Sequence, residues 1–209
     1  MLVEYTQEFW DDRYRQHTRI WSGNPNRQLV AGVQDLPPGT ALDVGCGEGA
    51  DAVWLASRGW AVLGIDVSEV ALSRARTHTE ELDASIADRL EWRQVDLLAE
   101  PELPGGRDLV SIQFMHLPEP ERSRIFGALA SLVGVGGTLL VVAHDPSDLH
   151  SGIGRPPQPD LFYTPQQIAD LLDDAWDIQV CESRPRVEHT PDGRSVEISD
   201  AVLQAVRIR

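Results

Sequence analysis

The sequence has too few cysteines for a disulfide framework and no apolar run long enough to span a membrane. Its two cysteines, Cys46 and Cys181, lie far apart and give no metal-ligand spacing. No uninterrupted apolar segment reaches the roughly 18 residues that indicate a membrane helix, and no signal-peptide pattern opens the chain. We therefore expect a cytoplasmic protein with no membrane partner and no metal site.

Basic residues are also scarce. The chain has 18 Lys and Arg against 33 Asp and Glu, which gives a formal net charge of -15. Nucleic acids and anionic membranes bind clustered basic residues, so this balance argues against both as partners. A length of 209 residues with 42% hydrophobic content suits one domain with its own core.

Short apolar segments alternate with helical patterns from Thr40 onward, which is typical of an α/β fold with a doubly wound, mostly parallel sheet. The predicted strands of this part are Ala41–Val44, Ala61–Ile65, Leu90–Val95, Leu109–Ile112 and Thr138–Ala143. The predicted helices are Thr6–Arg19, Asn26–Val33, Ala50–Ser57, Glu69–Leu82 and Glu119–Leu132, with glycines 134, 136 and 137 as the turn into the fifth strand.

The last third of the chain has a different pattern. Asp145–Pro159 is a Pro/Gly-rich segment that we interpret as a loop and candidate substrate lid. Thr164 and Pro165 open a helix that extends to Leu172. Two extended segments, Ile178–His189 and Val196–Ile208, then predict an antiparallel hairpin, which brings the sheet to seven strands.

The most informative segment is Asp43-Val44-Gly45-Cys46-Gly47-Glu48-Gly49, where a strand, a glycine-rich turn and a helix start follow one another. The glycines allow a tight turn and close approach of a ligand to the backbone, and the helix start offers free N–H groups. Asp66 follows Gly45 by about 20 residues, at the end of the second strand, where a carboxylate can bind ribose hydroxyls. This predicts a nucleotide-type site.

The glycine spacing alone leaves the cofactor open, because it also fits the relaxed dinucleotide pattern. Asp43 favours S-adenosylmethionine, since a carboxylate there suits an ammonium group and opposes a pyrophosphate. Asp96, after the third strand, could accept a hydrogen bond from an adenine amino group. The antiparallel C-terminal hairpin favours the same interpretation. A nicotinamide-dependent reductase and a non-catalytic cofactor-binding subunit stay as alternatives.

These segments, together with Asp66 and Val95-Asp96-Leu97, resemble the first three motifs of class I S-adenosylmethionine-dependent methyltransferases. Trp10–Tyr14, Trp21–Asn26, His116–Pro118 and Pro159–Pro165 resemble more narrowly the tellurite-resistance and thiopurine methyltransferase-like branch. The resemblance covers nearly the whole chain. It implies one methyltransferase domain over 1–209, with an N-terminal helical lid (1–38), a cofactor-binding core (39–145) and a substrate loop, helix and hairpin (146–209).

The resemblance also implies roles for individual residues. Gly45, Gly47 and Gly49 would line the methionine portion of S-adenosylmethionine near Asp43, with Cys46 packed beside the ligand. Asp66 would bind the ribose. The remaining cofactor-binding residues would be Val67 beside the adenine, Asp96 and the Leu97 amide at its edge, Gln113 and Phe114 after the fourth strand, and Trp21 in an aromatic lid.

Two histidines are candidate catalytic residues. His116 follows the fourth strand and His144 ends the fifth, both at the rim where open α/β sheets bind ligands. A histidine there could remove a proton from a hydroxyl acceptor, although a thiolate would need no base. The chain lacks the Asn-Pro-Pro-Tyr motif of enzymes that methylate DNA bases or protein glutamine. We therefore expect methyl transfer to O, S or N of a small molecule, with release of S-adenosylhomocysteine, by a monomer or homodimer.

Overall fold

The computed structural model describes residues 6–17, 23–151, 153, 158–190 and 193–209. The helices in these residues are α1 Gln7–Arg15, α2 Arg27–Val33, α3 Ala50–Ser57, α4 Glu69–Glu80, α5 Ala84–Ala87, α6 Glu121–Ser131 and α7 Pro165–Ala169. The strands are β1 Thr40–Val44, β2 Ala61–Asp66, β3 Leu90–Gln94, β4 Arg107–Gln113, β5 Val133–His144, β6 Trp176–His189 and β7 Ser195–Arg207. Short 3₁₀ helices cover Leu97–Ala99, Pro146–His150 and Pro159–Leu161.

The seven strands form one sheet in the order β3-β2-β1-β4-β5-β7-β6. Strands β1 to β5 pair in parallel, whereas β7 pairs antiparallel with both β5 and β6. This confirms the predicted doubly wound sheet with its antiparallel hairpin. The strand order reverses at β1, so a crevice opens at the carboxyl ends of β1 and β4, where such sheets bind ligands.

Two apolar cores cover the faces of the sheet. One contains Leu29 and Val33 of α2 with Leu55 of α3. The other contains Phe126 and Leu129 of α6. Continuous burial of the central strands explains why their sequences are apolar runs without alternation.

Several predicted boundaries were wrong. Glycines 134, 136 and 137 were predicted as a turn but lie inside β5, because a register shift opposite Arg107 and Leu109 accommodates them within the strand. Helix α6 begins two residues late, after the cis bond between Glu119 and Pro120. The helix predicted to reach Leu172 ends at Ala169, and the loop after Asp145 begins with a 3₁₀ helix.

Candidate active site

The chain bends sharply between β1 and α3. The amides of Gly45 and Cys46 both donate to the Ile65 carbonyl of β2, at 2.8 and 3.0 Å. Gly45 and Gly47 have φ angles of 69° and 54°, which L side chains rarely adopt. Gly45 is exposed, and among the described residues a Cβ placed there would have only Met115 Cε, at 3.5 Å, within 4 Å of it. The described part of the chain therefore leaves open space in front of the Gly45 backbone.

Gly49 has a different environment from Gly45. It is buried, and a Cβ there would lie 2.5 Å from the ring of Trp92. The same ring covers Gly64 of β2, where a Cβ would also lie at 2.5 Å, and its indole N–H donates to Thr79 Oγ1. Packing against Trp92 and a φ of 89° both account for glycine at position 49, and its contact with the methionine portion stays a prediction.

Asp66 lies next to the glycine bend, as predicted. Its Oδ2 accepts the Gly47 amide at 2.9 Å and its Oδ1 accepts the Ser68 amide at 2.8 Å. Burial raises the pKa of this carboxyl, and the two accepted amide bonds lower it in part. One carboxylate thus fixes the tip of β2 to the bend after β1.

A second pair of carboxyl groups lies close to the bend. Asp43, at the end of β1, is 1% exposed, and its Oδ2 has no hydrogen-bond partner among the described residues. Burial first, then the charges of Asp51 and Asp66, raise its pKa well above the usual range. Burial also raises the pKa of Asp51 to about 6. A buried cluster of carboxyl groups suits a ligand with positive charge.

Asp51 also connects the bend to two distant parts of the chain. Its Oδ1 accepts the Asn26 amide at 2.6 Å, and Asn26 Nδ2 donates to Gln113 Oε1 at 2.9 Å. Gln113 in turn donates to Ser111 Oγ at 2.9 Å. No pattern in the sequence indicates this chain of contacts, because the helix dipole alone makes an aspartate common in the first turn of a helix.

The predicted adenine contacts lie beyond the tip of β3. Strand β3 ends at Gln94, and Asp96 is an exposed residue whose side chain accepts the Leu98 amide at 2.9 Å. It caps the 3₁₀ helix that contains Leu97. Val67 follows Asp66, and its carbonyl accepts a bond from the Gln94 side chain at 3.1 Å. Trp21 lies outside the described residues.

The tips of β4 and β5 carry a cluster of aromatic side chains. The rings of His116 and His144 stack with centroids 4.8 Å apart and planes inclined by 16°. Phe114 packs against the His144 ring with centroids 4.6 Å apart, and Phe162 lies 6.0 Å from His116. Phe114 has a φ of 53°, a strained conformation for a residue with a side chain. The structure thus brings the two predicted histidines together.

His116 is oriented by the segment that follows the candidate lid. Its Nδ1 lies 3.0 Å from the Leu161 carbonyl oxygen, which can only accept, so Nδ1 carries a proton. When the ring is neutral, Nε2 is then the nitrogen that can take up a proton. Tyr163 fixes this segment by donating to the Met115 carbonyl at 2.9 Å, and Arg122 donates to the Asp160 carbonyl at 2.7 Å.

Met115 joins the two halves of the site, because its methyl group faces Gly45 while its carbonyl binds Tyr163.

The described residues contain no group of three His, Cys, Asp or Glu side chains placed to hold a metal ion. None of the described helices is long and apolar enough to cross a membrane.

Comparison with known proteins agrees with this geometry. Residues 41–137 match the family described as a methyltransferase domain. The ubiquinone biosynthesis O-methyltransferase of Pseudomonas paraeruginosa is 34% identical over 158 residues, which cover 73% of this chain and 61% of that protein. The chain therefore spans about three fifths of the length of this curated relative.

Two solved structures share the fold. TehB from Haemophilus influenzae superposes with a TM-score of 0.65 at 18% identity, over 96% of this chain and 66% of that one. The magnesium protoporphyrin IX methyltransferase ChlM from Synechocystis PCC 6803, with bound S-adenosylmethionine, gives 0.59 at 26% identity, over 86% and 74%. Its matched domain, its curated relative and its fold make the chain similar to S-adenosylmethionine-dependent methyltransferases. The likeness to TehB shows a shared fold.

Proposed function

We propose that the protein transfers the methyl group of S-adenosylmethionine to a nucleophilic atom, first of all oxygen, of a small molecule. The contact between the Gly47 amide and Asp66 Oδ2 at 2.9 Å carries this proposal, because it sets a carboxylate beside the glycine bend, whose backbone is exposed at Gly45. That pairing suits an adenosine whose ribose binds Asp66 and whose amino-acid portion crosses Gly45. The named activity of the Pseudomonas relative favours an oxygen acceptor.

The residues of the crevice also fit the cofactor in charge. Asp43 places a buried carboxyl oxygen, with no hydrogen-bond partner among the described residues, at the end of β1. An ammonium or sulfonium group would offset the free-energy cost of burying this carboxylate, whereas a pyrophosphate would increase that cost. When bound, S-adenosylmethionine supplies a methyl group already activated for displacement. The chain therefore mainly has to orient the acceptor and exclude water.

His116 is the residue we assign to the acceptor proton. With Nδ1 bound to the Leu161 carbonyl, the basic nitrogen of the neutral ring is Nε2, which is buried, so a hydroxyl acceptor has to enter the aromatic cluster to give up its proton there. His144 holds the His116 ring by stacking, and Phe114 and Phe162 give the surroundings an apolar, aromatic character. These contacts favour a small acceptor with an aromatic or otherwise apolar body.

The remaining assignments belong to the same proposal. Residues 1–38 act as an N-terminal lid, 39–145 as the cofactor-binding core, and 146–209 as the substrate-side loop, helix and hairpin of one domain. The net charge of -15 supports a protein that does not bind nucleic acid. We propose that it acts in the cytoplasm as a monomer or homodimer.

A panel of acceptors tests the reaction. Phenols, quinolones, thiols and chalcogen oxyanions are incubated separately with the protein and S-adenosylmethionine, and the release of S-adenosylhomocysteine is measured. We expect acceptor-dependent release with at least one hydroxylated aromatic compound, together with a product heavier by one methyl group in place of one proton. Release with thiols alone would contradict the assignment to oxygen, and no release with any class would contradict the proposed activity.

Cofactor affinity should depend on pH through the carboxyl groups near the bend. Asp51, with its pKa raised to about 6, is mostly ionised at pH 7.5 and mostly protonated at pH 5.0. A cationic ligand favours the ionised form, so S-adenosylmethionine should bind roughly 3- to 10-fold more weakly at pH 5.0 than at pH 7.5. Isothermal titration at both pH values measures this difference.

Two comparisons show whether Asp51 causes the pH dependence. Asp51→Asn removes the titrating group while its amide oxygen can still accept the Asn26 amide, so we expect a flatter pH profile. S-adenosylhomocysteine lacks the sulfonium charge and should show a smaller change than S-adenosylmethionine. An equally steep profile in Asp51→Asn would refute this explanation.

A further inference from the structure

Helix α1 and helix α4 cap each other. Asp11 of α1 is buried, and its Oδ1 accepts the Ser68 hydroxyl at 2.6 Å and the Val70 amide at 3.2 Å, at the N-terminus of α4. In return, Arg74 of α4 donates to the Tyr14 carbonyl at 2.7 Å and the His17 carbonyl at 2.8 Å, at the C-terminal end of α1. Each helix end thus receives the charge that its dipole favours.

Arg74 has a third contact, on the glycine bend itself. Its Nη1 donates to Glu48 Oε1 at 2.8 Å, and the Glu48 side chain is only 8% exposed. Glu48 lies between Gly47, whose amide binds Asp66, and the buried Gly49. One guanidinium therefore joins the bend to the end of α1, and its planar set of donors can serve all three acceptors at once.

We propose that Arg74 is a positioning residue that couples binding of the cofactor at the glycine bend to docking of helix α1 on α4. This inference rests on the proposed function, because it requires that S-adenosylmethionine or its product binds at the bend. A ligand that orders the bend also fixes the position of Glu48. Glu48 in turn fixes Arg74, and Arg74 fixes the last carbonyls of α1 through its hydrogen bonds. Since coupling is reciprocal, a docked α1 in turn favours the ligand-binding form of the bend.

The test uses Arg74→Met and S-adenosylhomocysteine as the probe. We expect the affinity from isothermal titration to fall roughly 10-fold, a typical size for coupling between two sites. Hydrogen exchange of peptides covering residues 7–17 should slow on ligand binding in the unchanged protein but not in Arg74→Met. The matched control is Arg76→Met, two residues further along α4, because Arg76 forms an exposed pair with Glu69. Arg76→Met should keep both the affinity and the ligand-dependent slowing.

A second variant keeps the test decisive if Arg74→Met folds poorly. Glu48→Gln preserves size and removes the charge, so it should weaken binding and abolish the slowing in α1. In the double variant, the loss of affinity should be less than the product of the two single losses, because both remove one interaction. Full affinity with normal slowing in either single variant would overturn the coupling. If the unchanged protein binds no S-adenosylhomocysteine, the proposed function itself fails.

Discussion

Replacing Asp66 with Ala is expected to weaken binding of S-adenosylmethionine by about 1–3 kcal/mol through the lost ribose hydrogen bonds. The structure adds a second reason for the loss, because the carboxylate also holds the Gly47 and Ser68 amides. Asp66→Asn should behave similarly, because it replaces one of the two accepting oxygens with an NH₂ group. This group cannot accept a hydrogen bond, so it would face one of the two amide N–H groups as a second donor. Isothermal titration of each variant measures the change.

Asp108 provides a matched control for Asp66. Its carboxylate accepts hydrogen bonds from the amide and the hydroxyl of Thr40 at 2.7 and 2.8 Å. These residues lie at the amino ends of β1 and β4, whereas the crevice lies at the carboxyl ends. Asp108→Asn should therefore lower stability without changing cofactor affinity. Undiminished affinity in Asp66→Ala, or equal losses in the Asp66 and Asp108 variants, would contradict the assignment of the ribose site.

Substitution of His116 should affect turnover far more than binding. We expect His116→Gln to lower kcat for a hydroxyl acceptor by about 100-fold or more, within the usual range for loss of a general base. The affinity for S-adenosylmethionine should stay unchanged, because a base acts on the acceptor proton in the transition state. Rate measurements with the best acceptor of the panel, combined with titration of the cofactor, separate the two effects.

The pH profile distinguishes a base from a packing residue. A phenol acceptor ionises near pH 10, so the turnover of His116→Gln should recover as the pH rises and the base is no longer needed. His189→Gln is a suitable control, because His189 is an exposed residue at the end of the edge strand β6, beside Ser195. Normal kcat in His116→Gln, or a loss that higher pH does not relieve, would show that the ring only packs the site.

Local sequence patterns predicted the sheet well, and also the placement of Asp66 beside the glycine bend. The apolar runs around Leu42, Leu63 and Val110 belong to strands buried on both faces. Such strands are apolar along their whole length, which makes them easy to identify in a sequence. The glycine bend and Asp66 were also predictable, since backbone geometry and a carboxylate at a strand tip limit the residue types allowed. Predicted element boundaries were wrong where tertiary contacts determine where an element begins or ends, as at the glycines inside β5.

The sequence could not show which residues act through long-range contacts. Asp51 reaches Asn26, 25 positions away, and Arg74 reaches Glu48 and Tyr14, 26 and 60 positions away. Such pairs follow from how helices pack, so no local spacing reveals them. The role of Gly49 was hidden for the same reason, because the ring it contacts belongs to Trp92. Asp96 caps a 3₁₀ helix through Oδ1, a contact that the sequence did not indicate, and its contact with the adenine stays a prediction.

Isothermal titration of the unchanged protein with S-adenosylhomocysteine and, separately, with NADH tests the central claim most directly. Both ligands carry an adenosine that Asp66 could bind, but only NADH carries a pyrophosphate that would face the buried carboxyl of Asp43. We predict binding of one S-adenosylhomocysteine per chain and no measurable binding of NADH. Tight binding of NADH without binding of S-adenosylhomocysteine would contradict the account.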